Sequence, residues 1–216
     1  MAKIGGLYVL IDPAACRGRP AVGVARTALA GGASMLQWRD KARDKGEQLP
    51  DLRAVYRLCL EHDAILIVND HADLALVLND APAPRGLLGV HVGQKDLPLT
   101  DVRRIVPSDF VVGVSTNNPE EALRAERDGA SYVAVGDIFG TTAKQGTRPA
   151  SPQRLAQVKA AVHVPVIGIG GINAGNVREV MAAGADGIAV ISAVCGAPDP
   201  EAAARELVAA MSMGAK

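Results

Sequence analysis

Polar side chains alternate along one short stretch of the sequence. Gln37, Arg39 and Lys41 occupy every second position of a run that follows the apolar residues 34–36. Alternate side chains of a β-strand share a face, so these three are expected to face one space at the end of a strand. Two cations beside an amide suit the oxygens of a phosphate. The sequence therefore predicts a phosphate-binding site here.

Two later apolar runs end in residues that suit a metal ion. Asn69 and Asp70 follow one run, and Asp96 closes the segment that begins at His91. Two carboxylates with an amide suit Mg²⁺ held by a few protein oxygens together with substrate phosphate oxygens. In the alternative interpretation Asp70 caps a helix and Asp96 starts a turn. His91 by itself is more typical of a structural residue than of a catalytic one.

The next two strand ends carry hydroxyl groups and a lysine. Ser115 lies at a strand tip where its hydroxyl can face a pocket, whereas the following Asn117 and Asn118 are typical helix caps. The Gly- and Thr-rich segment 136–146 contains Lys144. A loop of this composition either closes over phosphates or is a mobile surface loop, and the pattern alone does not choose between them.

The last two strand ends resemble a second phosphate site. The run Gly168 to Asn173 contains three glycines and precedes a predicted helix, and Ile191-Ser192 ends the final strand. Glycine lets backbone N–H groups approach a phosphate, and a site after strands seven and eight is frequent in barrels. The alternative role of such glycines is close packing of a strand against a helix.

Short β-rich runs alternate with helical segments along the whole chain. The runs are Leu7–Ile11, Ser34–Gln37, Ala64–Val68, Gly89–Val92, Phe110–Val114, Tyr132–Val135, Val164–Ile169 and Gly187–Ile191. Between them apolar residues recur with helical spacing, and an Ala-rich segment from Glu201 to Met213 predicts a last helix. Eight βα units predict one (β/α)₈ TIM barrel domain over residues 1–216, with a doubly wound open sheet as the alternative. Polar residues at nearly every strand end favour the barrel.

The amino-acid composition indicates which binding partners and which cellular compartment to expect. The chain has 23 basic and 23 acidic residues, so neither a nucleic acid nor an anionic membrane is expected as a partner. Three cysteines in apolar surroundings favour reduced thiols. No run approaches the length of a membrane span and the first twelve residues do not resemble a signal peptide. We expect a cytoplasmic protein acting on small molecules, and whether it is a homo-oligomer is open.

Seven short motifs in order resemble those of the thiamine-phosphate synthase family. They are Gln37 to Lys41, Val68-Asn69-Asp70, His91 to Asp96, Gly113-Val114-Ser115, Thr141 to Lys144, Gly168 to Ile172 and Ile191-Ser192. Each is modest alone, but seven in order over essentially the whole chain are specific. The resemblance implies a transferase that couples 4-amino-5-hydroxymethyl-2-methylpyrimidine diphosphate to 4-methyl-5-hydroxyethylthiazole phosphate, or to its carboxylated precursor, forming thiamine phosphate and pyrophosphate.

The resemblance also implies roles for individual residues. The pyrimidine diphosphate would be held by Gln37, Trp38, Arg39, Asp40, Lys41, Asn69, Ser115 and Lys144, of which Arg39, Lys41, Ser115 and Lys144 would act in catalysis. Asp70 and Asp96 would bind Mg²⁺. The thiazole phosphate would lie against Thr141, Thr142, Ala143, Gly171, Ile191 and Ser192.

Some features depart from the family pattern and leave rival functions open. Ala143 replaces a threonine, Asp137 and Gly140 stand where prolines are common, and the stretch 79–88 is longer than usual. One rival is a thiazole tautomerase of the sister family, which generally lacks the pyrimidine-diphosphate residues. The other is a non-catalytic sensor of a phosphorylated ligand.

Overall fold

The chain folds into a closed barrel of parallel strands. The computed structural model describes residues 4–79, 86–140 and 148–212. Its strands pair in sequence order, and the first pairs with the last. They are β1 (Gly6–Ile11), β2 (Met35–Trp38), β3 (Ile65–Asn69), β4 (Leu88–Val92), β5 (Val111–Thr116), β6 (Tyr132–Val135), β7 (Val166–Ile169) and β8 (Gly187–Val190). The predicted (β/α)₈ barrel is confirmed and the open sheet was the wrong alternative.

Helices follow the strands and cover the outside of the barrel. They are α1 (Ala21–Ala30), α2 (Lys45–Glu61), α3 (Ala72–Leu78), α4 (Leu99–Ile105), α5 (Pro119–Arg127), α6 (Pro152–Ala161), α7 (Val177–Ala182), α8 (Ser192–Cys195) and α9 (Pro200–Ser212). The predicted apolar stripe of α2, formed by Leu52, Val55, Tyr56 and Cys59, is buried. The predicted last helix is α9. The helix expected directly after the glycines of β7 begins only at Val177, because the chain first makes a turn closed by Asn173 and Asn176.

Two apolar layers result from the alternation of side chains along the strands. Inward-pointing residues such as Tyr8, Ile67 and Tyr132 fill the barrel, and outward-pointing residues such as Trp38 and Val68 pack under the helices. Glycine makes room where the interior is crowded: a Cβ atom on Gly113 would lie 2.0 Å from Cζ of Tyr132. The barrel interior is therefore filled, and open space is left at its mouth.

Several smaller predictions can be compared with the structure. Cys16, Cys59 and Cys195 are free and buried, as predicted. Asn118 caps α5, accepting a hydrogen bond from the N–H of Glu121 at 2.9 Å. Among the described residues, no helix has the length and apolar character needed to cross a bilayer.

Candidate active site

A cavity of about 730 Å³ opens at the carboxyl ends of the strands. This is the face of a (β/α)₈ barrel where active sites are found. Of the predicted site residues, the cavity is lined by Gln37, Arg39, Lys41, Asn69, Asp70, Asp96, Ser115, Gly171, Ile191 and Ser192. Residues from six different strand ends thus lie in one space, as expected at the carboxyl edge of a closed parallel barrel.

Two basic residues on one wall of the cavity are paired with carboxylates. Arg39 donates a short hydrogen bond to Asp12, and both side chains are nearly buried, with 11% and 12% exposed. Lys41 lies 3.1 Å from Asp70 and is about half exposed. A surface ion pair of the second kind contributes little free energy, whereas a nearly buried one is costly to break. Lys41 can therefore exchange its partner more easily than Arg39.

The floor of the cavity is a chain of buried hydrogen bonds. Gln37 donates from Nε2 to the hydroxyl of Tyr8 at 2.5 Å, and that hydroxyl lies 3.1 Å from the hydroxyl of Tyr132. The chain continues from Tyr132 to Nδ1 of His91 at 3.0 Å and from Nε2 of His91 to Oγ of Ser115 at 2.9 Å. His91, which the sequence favoured as a structural residue, thus lines the cavity and contacts Ser115, a predicted catalytic residue.

The two tyrosines of this floor remain neutral phenols. Burial raises the pKa of Tyr8 far above its ordinary value, although its hydrogen bonds to Tyr132 and Gln37 act in the other direction. Burial, together with the nearby Tyr8, also raises the pKa of Tyr132. Each hydroxyl therefore keeps one proton to donate and can accept one hydrogen bond.

The two predicted metal-binding carboxylates both line the cavity. Asp70 does not cap the helix that follows it: α3 has His71 at its N-cap and no side-chain cap bond. Asp96 ends a turn that begins at Gly93, accepting a hydrogen bond from the N–H of Gly93 at 2.7 Å, whereas the alternative interpretation had it starting a turn. In the described parts of the chain, no three His, Cys, Asp or Glu side chains cluster around a metal position. The donor set fits an ion that takes most of its ligands from a bound diphosphate and water.

The opposite wall of the cavity is formed by backbone at the ends of β7 and β8. Gly170 and Gly171 have positive φ angles of 106° and 64°, and a Cβ on Gly171 would lie 2.4 Å from the carbonyl oxygen of Gly140. Ser192 follows β8 and also lines the cavity. Gly168 instead packs outward, where a Cβ would lie 2.5 Å from Val180. Gly168 thus has the packing role considered from sequence, whereas Gly170 and Gly171 line the cavity, where binding of a phosphate stays a prediction.

Trp38 and Asp40, predicted to contact the pyrimidine diphosphate, do not line the cavity. Trp38 points outward and donates from Nε1 to Gln48 at 3.0 Å. Asp40 accepts hydrogen bonds from the side chain of Arg43 and from the N–H groups of Ala42 and Arg43. Burial acts to raise the pKa of Asp40, but these bonds outweigh it and the pKa is lowered. Their role as direct contacts is corrected: strand alternation turns them away, and they brace the loop after β2.

The remaining predicted residues, Thr141, Thr142, Ala143 and Lys144, lie outside the described residues. Arg148 is the first residue that the structure describes after residue 140, and it lines the cavity. Its two terminal nitrogens donate to the two carboxylate oxygens of Glu121 at 2.6 and 2.7 Å. Asn117 donates from Nδ2 to the carbonyl oxygens of Gly136 at 2.8 Å and Arg148 at 3.0 Å. Gly136, at the end of β6, and Arg148 are therefore both fastened to Asn117, just before α5.

Sequence reasoning missed four residues of the site. Asp12 and Arg148 belong to none of the seven motifs. Asp12 stands directly after the first predicted strand, so a search for polar residues at strand ends would have found it. Tyr8 and Tyr132 lie within predicted strands, where an aromatic residue is typical of a core. Their hydroxyl contacts depend on closure of the barrel, which no local pattern shows.

The chain was compared with known proteins. The family model described as thiamine monophosphate synthase matches residues 7–194. The chain belongs to the thiamine monophosphate synthase family. Thiamine-phosphate synthase of Methanospirillum hungatei is 42% identical over 93% of this chain and 95% of its own length, and that of Chlorobium limicola is 48% identical over 86% and 85%. The solved structure of thiamine phosphate pyrophosphorylase from Pyrococcus furiosus is 37% identical, with a TM-score of 0.85 over 97% of this chain and 96% of that one.

Membership in the thiamine monophosphate synthase family confirms two predictions made from the motifs. The family itself was predicted, and so was an enzyme of the transferase class. The family also agrees with the architecture, since the similarity to the Pyrococcus structure extends over nearly all of both barrels.

Proposed function

We propose that the chain is a thiamine-phosphate synthase. It would couple 4-amino-5-hydroxymethyl-2-methylpyrimidine diphosphate to 4-methyl-5-hydroxyethylthiazole phosphate with release of pyrophosphate, or to its carboxylated precursor with release of pyrophosphate and carbon dioxide. The observation that carries this proposal is a single cavity with a charged wall at Arg39, Lys41, Asp70 and Asp96 and a glycine-lined wall at Gly170 and Gly171. Two different anionic groups can therefore be held on opposite sides of one space.

The charged wall suits the diphosphate. Lys41 is half exposed and weakly paired, so a phosphate oxygen can replace Asp70 as its partner at little cost. Arg39 offers further N–H donors beyond the one that it gives to Asp12. Asn69 and the hydroxyl of Ser115 line the same cavity and can donate to the remaining oxygens. Lys144 is proposed as a further cation on the strength of its motif alone.

Asp70 and Asp96 are proposed to hold Mg²⁺ together with the diphosphate. When bound, the ion would supply positive charge to the leaving diphosphate. Lys41 and Asp70 would then part together, with the lysine turning to the phosphate and the carboxylate becoming a free donor oxygen. The N–H of Gly93 holds one oxygen of Asp96, which fixes the direction of that carboxylate.

The glycine-lined wall suits the thiazole phosphate. Gly170 and Gly171 have positive φ angles, and the close approach of the segment after β6 leaves no room for a Cβ on either, so this wall of the cavity is formed by backbone. Ser192 adds a hydroxyl, and Ile191 adds an apolar surface for the thiazole ring. Thr141, Thr142 and Ala143 are proposed to complete this wall.

The reaction requires the protein mainly to position the two substrates and to neutralise charge on the leaving group. The bond between the pyrimidine methylene carbon and the diphosphate oxygen breaks first, and the diphosphate leaves with the electron pair. The electron-rich aminopyrimidine stabilises the resulting cation, and the lone pair of the thiazole nitrogen forms the new carbon–nitrogen bond. No protein nucleophile is needed, and Arg39, Lys41 and Lys144 neutralise charge on the leaving group. Removing one such cation is expected to lower kcat by about 10²–10³.

Product analysis tests the proposal. The purified protein is mixed with both substrates, with and without Mg²⁺, and thiamine phosphate is sought by mass spectrometry. We expect product only with Mg²⁺. Product formed equally well in a chelator would contradict the metal role, and binding of thiazole phosphate without any product would favour the tautomerase or the sensor instead.

A further inference from the structure

The buried floor of the cavity joins two predicted ligand-binding residues that do not touch each other. Gln37 lies at one end and Ser115 at the other, and between them are Tyr8, Tyr132 and His91 in unbroken hydrogen-bond contact. The rings also pack: Tyr8 meets Tyr132 edge to face at 6.1 Å, and His91 stacks on Tyr132 at 5.6 Å. Packing holds the hydroxyl groups within reach of each other, so the contacts belong to one rigid unit.

A chain of this kind allows two directions of donation. In the first, Gln37 donates to Tyr8, Tyr8 to Tyr132, Tyr132 to Nδ1 of His91, and Nε2–H of His91 to Ser115. In the second, every bond is reversed and the amide of Gln37 is turned over. Since each neutral phenol has one proton, a reversal at any point reverses the whole chain. The two ends therefore cannot change independently.

The two directions present different groups to the cavity. In the first, the hydroxyl proton of Ser115 remains to donate to a ligand, and Oε1 of Gln37 remains to accept. At the Gln37 end the structure has the first arrangement: Nε2 of Gln37 faces Tyr8, and Oε1 finds no partner among the described residues, although only 2% of Gln37 is exposed. An anion beside Ser115 requires the first direction, since phosphate oxygens only accept hydrogen bonds.

We propose that Tyr8, Tyr132 and His91 are positioning residues that form a directional hydrogen-bond relay, which makes Ser115 a donor to the diphosphate and Gln37 an acceptor for an amino group of the pyrimidine. This inference rests on the proposed function, because that substrate carries an anion and an amino donor on one molecule. A ligand that offers only the anion or only the amino donor forms only one of the two hydrogen bonds at the ends of the relay. The relay thus selects substrates by coupling two contacts through the protein.

Binding measurements on Tyr132→Phe test the coupling. Dissociation constants of the pyrimidine diphosphate and of its analogue without the amino group are measured by calorimetry in Mg²⁺, without thiazole. A neutral hydrogen bond changes Kd by roughly 2- to 10-fold, so the native protein is expected to bind the analogue about 5-fold more weakly. In Tyr132→Phe this ratio is expected to fall towards one. Tyr56→Phe, a buried tyrosine on the outer layer, is the matched control and should keep the native ratio.

A second measurement reads the relay without any substrate. In ¹⁵N-histidine NMR the relay predicts one neutral tautomer of His91, protonated at Nε2, and a mixture in Tyr132→Phe; the exposed His62 and His163 serve as internal references. An unchanged tautomer, or an unchanged binding ratio beside a mixed tautomer, would overturn the proposal. If the native protein forms thiamine phosphate normally but one of these two results is obtained, the relay is refuted and the proposed function is not. A native protein that makes no product and does not bind the pyrimidine diphosphate would refute the proposed function, and His91 would still decide whether the relay exists.

Discussion

Replacing Asp12 by asparagine should separate the two roles of Arg39 in folding and in anion binding. The asparagine keeps the side-chain oxygen that accepts from the N–H of Ala14 at 3.0 Å, so the short helix Pro13–Cys16 remains capped. It removes the charge that faces Arg39. The change therefore leaves a cation whose side chain is 11% exposed without its carboxylate.

The size of the effect follows from this burial. Breaking a fully buried ion pair costs roughly 3–5 kcal/mol, and an exposed pair contributes about 0–1 kcal/mol. The Arg39–Asp12 pair lies at a cavity wall, between these limits, which suggests a loss of about 2 kcal/mol. For a chain of this length that corresponds to a fall in Tm of roughly 4–8 °C.

Inorganic pyrophosphate should reverse part of that loss. In the native protein an anion competes with Asp12 for Arg39, whereas in Asp12→Asn it meets an unpaired cation. We therefore expect pyrophosphate to bind the variant more tightly, by about 3- to 10-fold, and to raise its Tm by more than it raises that of the native protein. Scanning calorimetry over a range of pyrophosphate concentrations gives both quantities.

A control at the other end of the barrel makes the result specific. Asp186 pairs with Lys159 at 2.6 Å just before β8, away from the cavity. Asp186→Asn should lower Tm without changing the pyrophosphate affinity. Equal or weaker binding of pyrophosphate by Asp12→Asn would refute the argument that Arg39 faces the diphosphate.

Three further changes test other parts of the site. Asp70→Asn combined with Asp96→Asn should abolish Mg²⁺-dependent turnover with little effect on the circular dichroism spectrum; unchanged activity would remove both from the metal site. Trp38→Phe should cost about 1–3 kcal/mol in urea unfolding, because it leaves a buried partner unsatisfied, yet leave KM for the pyrimidine diphosphate unchanged; a raised KM would restore it as a substrate contact. The hydrogen bond from Arg148 lowers the pKa of Glu121, so the stability that it contributes is present above the ordinary glutamate pKa and is lost as pH falls through the lowered value. Glu121→Gln should therefore lose less stability than the native protein between pH 7 and pH 3, and an equal loss would count against the pair.

Much of the site was predictable because the side chains of a strand alternate. That rule placed Gln37, Arg39 and Lys41 in one space, and the same rule turns Trp38 and Asp40 away from it. The resemblance treated the five residues as one motif and so assigned all of them to the substrate. A period of two was the better guide here, because it describes the physical direction of each side chain.

The contacts among Tyr8, Tyr132 and His91 were not predictable in the same way, whereas Asp12 could have been found from its position directly after the first predicted strand. Tyr8 and Tyr132 are far apart in sequence and meet only because the barrel closes and Gly113 leaves room for a ring. Local patterns carry no information about such contacts. The cytoplasmic compartment, the single domain and the oligomeric state remain predictions from sequence.

The most direct test of the account is the stoichiometry of the reaction itself. Release of pyrophosphate and formation of thiamine phosphate are followed together with the purified protein, and each substrate is omitted in turn. The account predicts equal amounts of both products, formed only when both substrates and Mg²⁺ are present. Binding of both substrates without formation of thiamine phosphate would contradict it.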